Sequence, residues 1–347
     1  MNTMVTLMAA EELRERHGRL LRAGLQQTRP ACAARLGVTE VELIAAQCGV
    51  RAVELALRPG RLLPLLGSLG EVRVVTGNTV CRQEQVGCYQ PVQVRGNVAF
   101  MTAGELDLRL FLSHWGSCHA VQEQGKDSLR WHDRTGRLVH AVHLTPGSDR
   151  DAYEALLHQH ARKRWQMPSV EPVRPAAAGI VRDAEQLRRD WLAQRDAGEL
   201  QLVLQRQRLS RLAALQALGP DLAQEVGACA ISHVLKVVAG TRLGLQGRTV
   251  NRGVVQTRSG LLTHLQREAD VLLLEAGGHA FRLDVRAIDS VWVVAVPAAE
   301  GWRLDLEVYD RAGELSAGFS GLTQDGRTDR RAWPQLLRGL CAEPLLP

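Results

Sequence analysis

One short segment of the chain combines charged and aromatic side chains in a pattern that could bind a ligand. Over residues 105–112 leucine occupies every second position, and Asp107, Arg109 and Phe111 lie between the leucines. On a regular strand the leucines pack on one face of a sheet while the other three side chains share the opposite face. A face with one Arg and one Phe can bind a flat molecule that bears carboxylates. Alternatively, Arg109 pairs with Asp107 as a structural element.

The other reactive side chains predict neither a catalytic nor a metal centre. His158 and His160 lie two residues apart on a predicted helix, where side chains point about 200° apart and cannot share a metal ion. Ser113 and His114 are neighbours, but no acidic residue beside them could orient the imidazole. The sequence contains no Walker loop and no G-x-G-x-x-G motif. From the residues alone we assign no catalytic residue and no metal ligand.

The composition is that of an ordinary globular protein. The 347 residues exceed the usual size of one domain, so two domains or an internal duplication is expected. The net charge is +6, and the seven cysteines include no C-x-x-C pair, which favours reduced thiols. The few aromatic residues (seven Trp, three Tyr and four Phe) disfavour binding of single-stranded nucleic acid. No apolar run could span a membrane and the N-terminus has no basic leader, so we expect a cytoplasmic protein without membrane insertion.

Three motifs recur in the same order in the two halves of the chain. The matches are 77–82 with 247–252 at an offset of 170, and 106–115 with 283–292 and 133–138 with 310–315 at an offset of 177. Such recurrence predicts a tandem duplication with a single insertion of seven residues. In this alignment Arg82 matches Arg252, and Arg109 matches Arg286, whose recurrence with its Asp favours the structural alternative. Trp115 likewise matches Trp292.

Helical and strand patterns follow one another in the same way in both halves. Periodicity predicts helices at 11–27, 39–46, 51–66, 151–164, 182–207 and 329–340, with Thr39 as an N-cap. Strands are predicted at 105–112, 129–132 and 138–144, and the tetrapeptides 133–136 and 310–313 are predicted hairpin turns. Clustered strands without alternating helices indicate an α+β fold, in which each half is a large antiparallel sheet flanked by helices.

A segment rich in proline and alanine separates the halves. Pro168, Pro172 and Pro175 are followed by three alanines at 176–178, which is typical of a linker. We therefore expect a first repeat at 1–165, a linker at 166–180 and a second repeat at 181–347.

Several motifs together resemble the hemin-degrading factor family, the HemS, ChuS and PhuS proteins. They are Glu84-Gln85-Val86-Gly87, Leu106-Asp107-Leu108-Arg109-Leu110-Phe111-Leu112, a Trp shortly afterwards, and Asn251-Arg252-Gly253-Val254-Val255-Gln256. The resemblance extends over nearly the whole chain, including the duplication and the linker. It implies two repeats, each with a large antiparallel sheet and helices, in a cytoplasmic protein that receives imported heme. Family members pass heme to a heme oxygenase, and some degrade heme with a reductant and oxygen.

The resemblance also implies a heme site in the cleft of the second half. In the family an axial His comes from the first long helix after the linker, and an Arg reaches across from the first half. Arg109 matches that Arg, Phe111 lies beside it on the same strand face, and Arg211 matches a second family Arg. These three are the implied cofactor-binding residues. Gly198 occupies the position of the axial His.

Other family positions also differ. Gln83 stands where relatives have His, and Ser320-Gly321-Leu322-Thr323 stands where relatives have Tyr-Gly-Gln-Arg. No His occurs between His160 and His233, so a shift along the helix cannot restore the ligand. His233, His114 or a Cys are alternative iron ligands.

The missing imidazole weighs against oxygen activation, because a proximal His anchors the iron and sets its electronic state. The leading interpretation is a cytoplasmic protein that binds and carries heme in heme uptake and iron acquisition. Heme is then the cofactor, and a heme oxygenase or a heme importer is the expected partner. The first alternative is a diverged homologue that binds no heme and acts through protein contacts or another tetrapyrrole. The second alternative is an enzyme that degrades heme.

Overall fold

The chain divides into two units. The computed structural model describes residues 3–23, 28–56, 59–102, 106–173, 179–194, 203–275, 279–298, 301–323 and 326–346. The first unit contains Met1–Thr76, Glu84–Val173 and Arg252–Val254, and the second contains Gly77–Gln83, Arg174–Asn251 and Val255–Pro347. Each half of the chain therefore contributes a short segment to the unit that the other half mainly builds.

The first unit contains a long antiparallel sheet and a shorter ladder. Its helices are α1 (Thr3–Arg22), α2 (Arg29–Leu36), α3 (Glu40–Ala45), α4 (Pro59–Leu62), which continues as a 3-10 helix at Leu63–Leu69, and α5 (Arg150–His160). Its strands are β1 (Ala52–Leu55), β2 (Gly70–Gly77), β3 (Cys81–Cys88), β4 (Gln93–Arg95), β5 (Val98–Met101), β6 (Asp107–Phe111), β7 (Trp115–Glu123), β8 (Lys126–Asp133) and β9 (Leu138–Ser148). The sheet has the order β1-β7-β8-β9-β2-β3, and β6-β5-β4 form the ladder.

The second unit has the corresponding elements. Its helices are α6 (Ala184–Ala193), α7 (Arg211–Leu218), α8 (Ala230–Thr241) and α9 (Ala332–Arg338), and residues 203–207 are also helical. Its strands are β10 (Ala223–Val226), β11 (Gly244–Val250), β12 (Val254–Leu261), β13 (His264–Glu268), β14 (Val271–Glu275), β15 (His279–Asp284), β16 (Ile288–Ala298), β17 (Gly301–Asp310) and β18 (Leu315–Leu322). The sheet has the order β10-β16-β17-β18-β11-β12, and β15-β14-β13 form the ladder.

The two units repeat one strand order. When the strands are numbered from the start of each half, both sheets read 1-7-8-9-2-3 and both ladders read 6-5-4. The pairing within these sheets and ladders is antiparallel. The predicted α+β fold with a tandem duplication is therefore confirmed. Among the described residues, no helix is both long enough and apolar enough to cross a membrane.

The alignment of the two repeats differs from the one that the sequence motifs suggested. β3 begins at Cys81 and β12 at Val254, whereas β7 begins at Trp115 and β16 at Ile288, so both pairs of strands lie 173 positions apart. A register irregularity follows the first residue of β7 and of β16 alike. Trp115 is therefore equivalent to Ile288, and the predicted match of Trp115 with Trp292 is wrong.

The difference in offset arises in one hairpin. Beyond the irregularity, β7 and β8 pair over seven residues and close at Glu123 and Lys126. β16 and β17 pair over nine residues and close at Ala298 and Gly301. The hairpin of the second unit is therefore four residues longer, and the offset becomes 177 from there onward. The insertion has four residues rather than the predicted seven.

This register gives Arg109 a different counterpart. Arg109 lies opposite Phe100 on β5, and Arg282 lies opposite Leu273 on β14 at the same position of the repeat. Both Arg side chains are exposed between buried neighbours. Arg286 lies instead in the 3-10 turn Val285–Ala287, where its Nε is 2.7 Å from Asp270 Oδ2. Arg286 is therefore not the equivalent of Arg109.

Several local predictions are confirmed by hydrogen bonds. The Thr39 hydroxyl accepts a hydrogen bond from the Glu42 N–H, and the Glu42 carboxylate accepts one from the Thr39 N–H, which forms a capping box at the start of α3. In the turn between β8 and β9, Asp133 Oδ1 accepts from the Thr135 and Arg137 N–H groups. Asp310 accepts in the same way from Ala312 and Glu314.

The predicted helix at 51–66 is wrong in its first part. Ala52–Leu55 form strand β1, which pairs with β7. Helix α4 begins only at Pro59. Proline is tolerated in the first turn of a helix, but the residue before it is disfavoured in helical conformation. The predicted helices at 11–27 and 182–207 correspond to α1 and to α6 with residues 203–207, and their remaining residues 24–27 and 195–202 lie outside the described residues.

The C-terminal helix packs on its sheet at a glycine. Trp333 in α9 is fully buried, and its indole N–H donates a 2.8 Å hydrogen bond to the Leu304 carbonyl. A Cβ atom on Gly321 would lie 2.2 Å from Trp333 Cβ and 2.3 Å from Cγ. Only glycine at position 321 therefore permits this approach, which gives a packing reason for the one residue that the 320–323 segment shares with the family pattern.

We expect Gly321→Ala to destabilise the second unit by about 1–3 kcal/mol, because the added methyl must displace the Trp333 ring from a close-packed core. The measurement is the free energy of unfolding in urea. Gly260→Ala in β12 is the matched control, since a Cβ there meets no atom within 4 Å. Equal stability of the two variants would contradict the packing of α9 at Gly321.

Candidate functional site

The strand face predicted at Arg109 is present in the first unit. Leu106, Leu108 and Leu110 are fully buried, whereas Arg109 is exposed and Phe111 is half-buried on the opposite face. The strand ends at Phe111, and Leu112–His114 form a 3-10 turn. The alternation that was predicted from leucine spacing therefore holds through Phe111.

The Arg109 guanidinium lies over an aromatic ring. Its central carbon is 5.5 Å from the centroid of the Phe100 ring on the neighbouring strand β5, a distance at which cation–π attraction operates. Among the described residues, Arg109 makes no ion pair within 4.0 Å. Burial raises the pKa of Asp107, while Arg109 lowers it to a smaller extent. The arrangement leaves the N–H groups of Arg109 exposed beside two aromatic side chains.

Arg211 occupies a different environment in the second unit. It is the first residue of α7, after the N-cap Ser210, whose hydroxyl accepts from the Ala213 N–H. Its Nε and Nη2 atoms donate to the two carboxylate oxygens of Glu307 at 2.8 and 2.6 Å. Burial would lower the pKa of Arg211, but the Glu307 carboxylate more than offsets this, and the net shift is upward. Its central carbon also lies 5.3 Å from the Trp191 ring.

The same ion pair occurs in the first unit with its charges exchanged. Thr39 and Ser210 are equivalent N-caps, so the residues that follow them, Glu40 and Arg211, occupy equivalent positions. Arg130 on β8 is equivalent to Glu307 on β17, and its Nη1 lies 3.6 Å from Glu40 Oε1. A buried pair between helix and strand is thus a property of the repeat, and Arg211 has a structural role.

Further charges lie beside this pair in the second unit. Asp305, which is 1% exposed, accepts hydrogen bonds from Arg248, Arg303 and Ser320, each at 2.7 Å. Burial disfavours the charged form of Asp305, but the two Arg side chains hold its pKa below the ordinary value. Ser320 belongs to the segment that departs from the family pattern, and it serves here as a hydrogen-bond donor to a buried carboxylate.

The implied iron-ligand position lies outside the described residues, since Gly198 falls within 195–202. Of the alternative ligands, His233 is exposed on α8 and His114 is exposed in the 3-10 turn of the first unit. The part of the His114 imidazole that the protein covers, together with the nearby Arg252, lowers the pKa of His114. Cys88 and Cys229 are exposed thiols, whereas Cys32, Cys48, Cys81 and Cys118 are buried. Within the described part of the chain, no three His, Cys, Asp or Glu side chains are grouped to hold a metal ion.

A cavity in the second unit contains a histidine that sequence reasoning missed. It is lined mainly by apolar residues, among them Phe281 and Phe319. His279 also lines it and is 7% exposed, and burial and Arg258 lower its pKa to about 4. The imidazole is therefore neutral at pH 7. The alternation of His279, Phe281 and Leu283 was the available signal, because it places the His on the buried face of β15.

Comparison with known proteins identifies the family of the chain. The profile of the "Haemin-degrading HemS.ChuX domain" matches residues 37–160 and 208–340, which are most of both repeats. The chain belongs to this HemS family. It is 28% identical over 311 residues to "Hemin transport protein HmuS" of Yersinia pestis, which covers 88% of this chain and 90% of that relative.

Solved structures show the same duplicated fold. Apo-PhuS, a heme-binding protein from Pseudomonas aeruginosa, superposes with a TM-score of 0.89 at 28% identity, over 96% of this chain and 100% of PhuS. The heme degrading enzyme ChuS from Escherichia coli O157:H7 superposes with a TM-score of 0.88 at 22% identity, over 96% of this chain and 99% of ChuS. The match with ChuS establishes the fold alone.

We expect Arg211→Met to lower the free energy of unfolding by about 3–5 kcal/mol, because the buried charge of Glu307 is then unpaired. Urea denaturation measures this loss. The double variant Arg211→Met/Glu307→Leu should recover most of it, since a buried pair can be replaced by apolar side chains.

Arg189→Met is the matched control on α6, where Arg189 lies 4.0 Å from Glu185 and both side chains are exposed. Its cost should stay below about 0.5 kcal/mol. Similar losses for Arg189→Met and Arg211→Met would contradict a structural role of the Glu307 pair.

Proposed function

We propose that this chain binds heme and carries it in heme uptake and iron acquisition, in the cytoplasm, without the axial histidine of its family. The support comes from relatives along nearly the full chain. HmuS and the Yersinia enterocolitica HemS, which is 27% identical over 309 residues, are hemin transport proteins. Holo-PhuS, at 27% identity and a TM-score of 0.89, is a heme-binding protein.

The main structural support for this proposal is the strand face formed by β6 and β5. Arg109 is exposed there, Phe100 and Phe111 are half-buried, and the guanidinium stands over the Phe100 ring. A porphyrin presents a flat apolar body and two carboxylates. The aromatic side chains suit the body, and a guanidinium suits a carboxylate through paired N–H groups. The residues present therefore fit the edge of a heme.

Three arginines that pair with buried carboxylates in the second unit offer less to such a ligand. Arg211, Arg248 and Arg303 are each directed at Glu307 or Asp305, carboxylates that are 1% exposed. Their side chains are 20–26% exposed, so only the remaining N–H groups can reach a ligand. We propose Arg211 as a residue that contributes one such N–H group while its ion pair holds α7 in place.

Carriage rather than degradation follows from the ligand position. A heme iron activates oxygen when the protein supplies a suitable axial ligand, and Gly198 has no side chain to coordinate iron. Arg109 and the aromatic face can bind the ring and orient it without such a ligand. A heme importer as donor and a heme oxygenase as acceptor would complete this role.

The test is the affinity for hemin, measured by Soret titration for Arg109→Ala and Arg282→Ala. Arg109→Ala should weaken binding about tenfold to a hundredfold, the effect of one charge-assisted hydrogen bond. Arg282→Ala is the matched control, because Arg282 is exposed at the equivalent position of the other repeat. It should leave the affinity unchanged.

Melting temperatures of both variants show whether a fold defect mimics a binding defect. Unchanged affinity in a well-folded Arg109→Ala protein would remove Arg109 from the site. A chain that binds no hemin at all would instead support the diverged homologue that acts through protein contacts or another tetrapyrrole.

A further inference from the structure

A second cavity lies in the first unit, and its lining includes no residue of the strand face of Arg109. It lies between α1, the start of α2 and the edge formed by β1 and β7, and it is partly open to solvent. Four arginines line it: Arg14, Arg22, Arg29 and Arg51. Glu123 is the acidic side chain in its lining. The lining thus carries a surplus of three positive charges at neutral pH.

Arg29 is the buried member of this group. Its side chain is 8% exposed, and its Nη2 atom lies 2.9 Å from Glu123 Oε1. Its Nε and Nη1 atoms are buried and have no hydrogen-bond partner among the described residues. A buried charged donor without a partner is costly. An acceptor that enters beside Arg29, with a shift of this side chain, would supply the missing partner.

The carboxylate of Glu123 does not neutralise the cavity. Arg130 lies 2.9 Å from its second oxygen, so Glu123 is shared between two guanidinium groups. Despite burial, these two arginines lower the pKa of Glu123, so it stays ionised at neutral pH. Arg130 is also paired with Glu40, so these four side chains balance one another. The positive surplus of the cavity comes from Arg14, Arg22 and Arg51.

The other arginines have free charge as well. Arg14 donates one Nη1 hydrogen bond to the Ala46 carbonyl, and no carboxylate of the described residues lies within 4.0 Å of its guanidinium. Arg22 and Arg51 are exposed at the rim and form no ion pair within 4.0 Å in the described part of the chain. His17 adds an imidazole to the lining, and burial and Arg29 lower its pKa.

We propose that this cavity binds a small anion with two or more negative charges, carried on phosphate or carboxylate groups. Guanidinium groups present planar, paired donors that match both kinds of oxyanion. Arg29 would hold one group inside the cavity, while Arg22 and Arg51 would hold a second at the rim. A single charge would leave part of the positive surplus unmatched, which is why the ligand is a multivalent one.

Isothermal titration calorimetry of the full chain with pyrophosphate and with citrate tests this site in low-salt buffer. We expect 1:1 binding of at least one of the two, weakened by added salt because the contacts are charged. Binding of pyrophosphate alone assigns the site to phosphates, and binding of citrate alone assigns it to carboxylates. Arg29→Met should weaken binding at least about tenfold.

Arg22→Gln/Arg51→Gln is the second variant, because both side chains are exposed and their loss leaves the interior unchanged. It should also weaken binding about tenfold. The control Arg134→Gln removes one charge from an exposed residue of the same unit that does not line the cavity. It should retain the wild-type affinity.

Absence of binding to both probes would overturn the proposal, as would an equal loss in Arg134→Gln and Arg22→Gln/Arg51→Gln. The probes contain no heme, so these outcomes are independent of hemin affinity and of the proposed function.

Discussion

A buried ion pair between the first turn of a helix and the middle of a long strand fixes the architecture of both repeats. In the second unit Arg211 and Glu307 form it, and in the first unit Glu40 and Arg130 form it with the charges exchanged. An unpaired charge in either place would cost several kcal/mol. Helix start and strand must therefore keep one register in each unit, and the remaining polar side chains of the strand are arranged around the pair. This constraint commits much of Arg211 to the fold and leaves Arg109 as the exposed guanidinium of the implied site.

The sequence allowed prediction wherever a local rule determined the outcome. The leucine alternation around Arg109, the capping box at Thr39 and the Asp-to-Gly turn after β8 each depend on a few neighbouring residues, and all three are present. The duplication was also predictable because equivalent turns keep equivalent residues. The repeat register was not, because short motifs matched at the wrong offset while four residues were added in one hairpin.

The features that sequence reasoning missed depend on contacts between distant parts of the chain. Glu307 lies 96 positions after Arg211, and no local pattern indicates that the two side chains meet. The cavity around Arg29 is likewise formed by α1, the start of α2 and the edge of β1 and β7, which lie far apart in the sequence. The prediction of a helix at 51–66 was wrong for a simpler reason, since the apolar periodicity of this segment concealed the break that Pro59 imposes.

The proposed function requires that the chain binds heme without an imidazole from the ligand position of its family. The electron paramagnetic resonance spectrum of the ferric hemin complex, recorded beside that of Gly198→His, tests it most directly. We expect the native protein to lack the signal of a histidine-ligated iron and Gly198→His to acquire it. A histidine-ligated signal in the native protein that His233→Ala abolishes would show that His233 is the ligand instead. Identical spectra for the native protein and Gly198→His at full hemin occupancy would overturn the assignment of position 198.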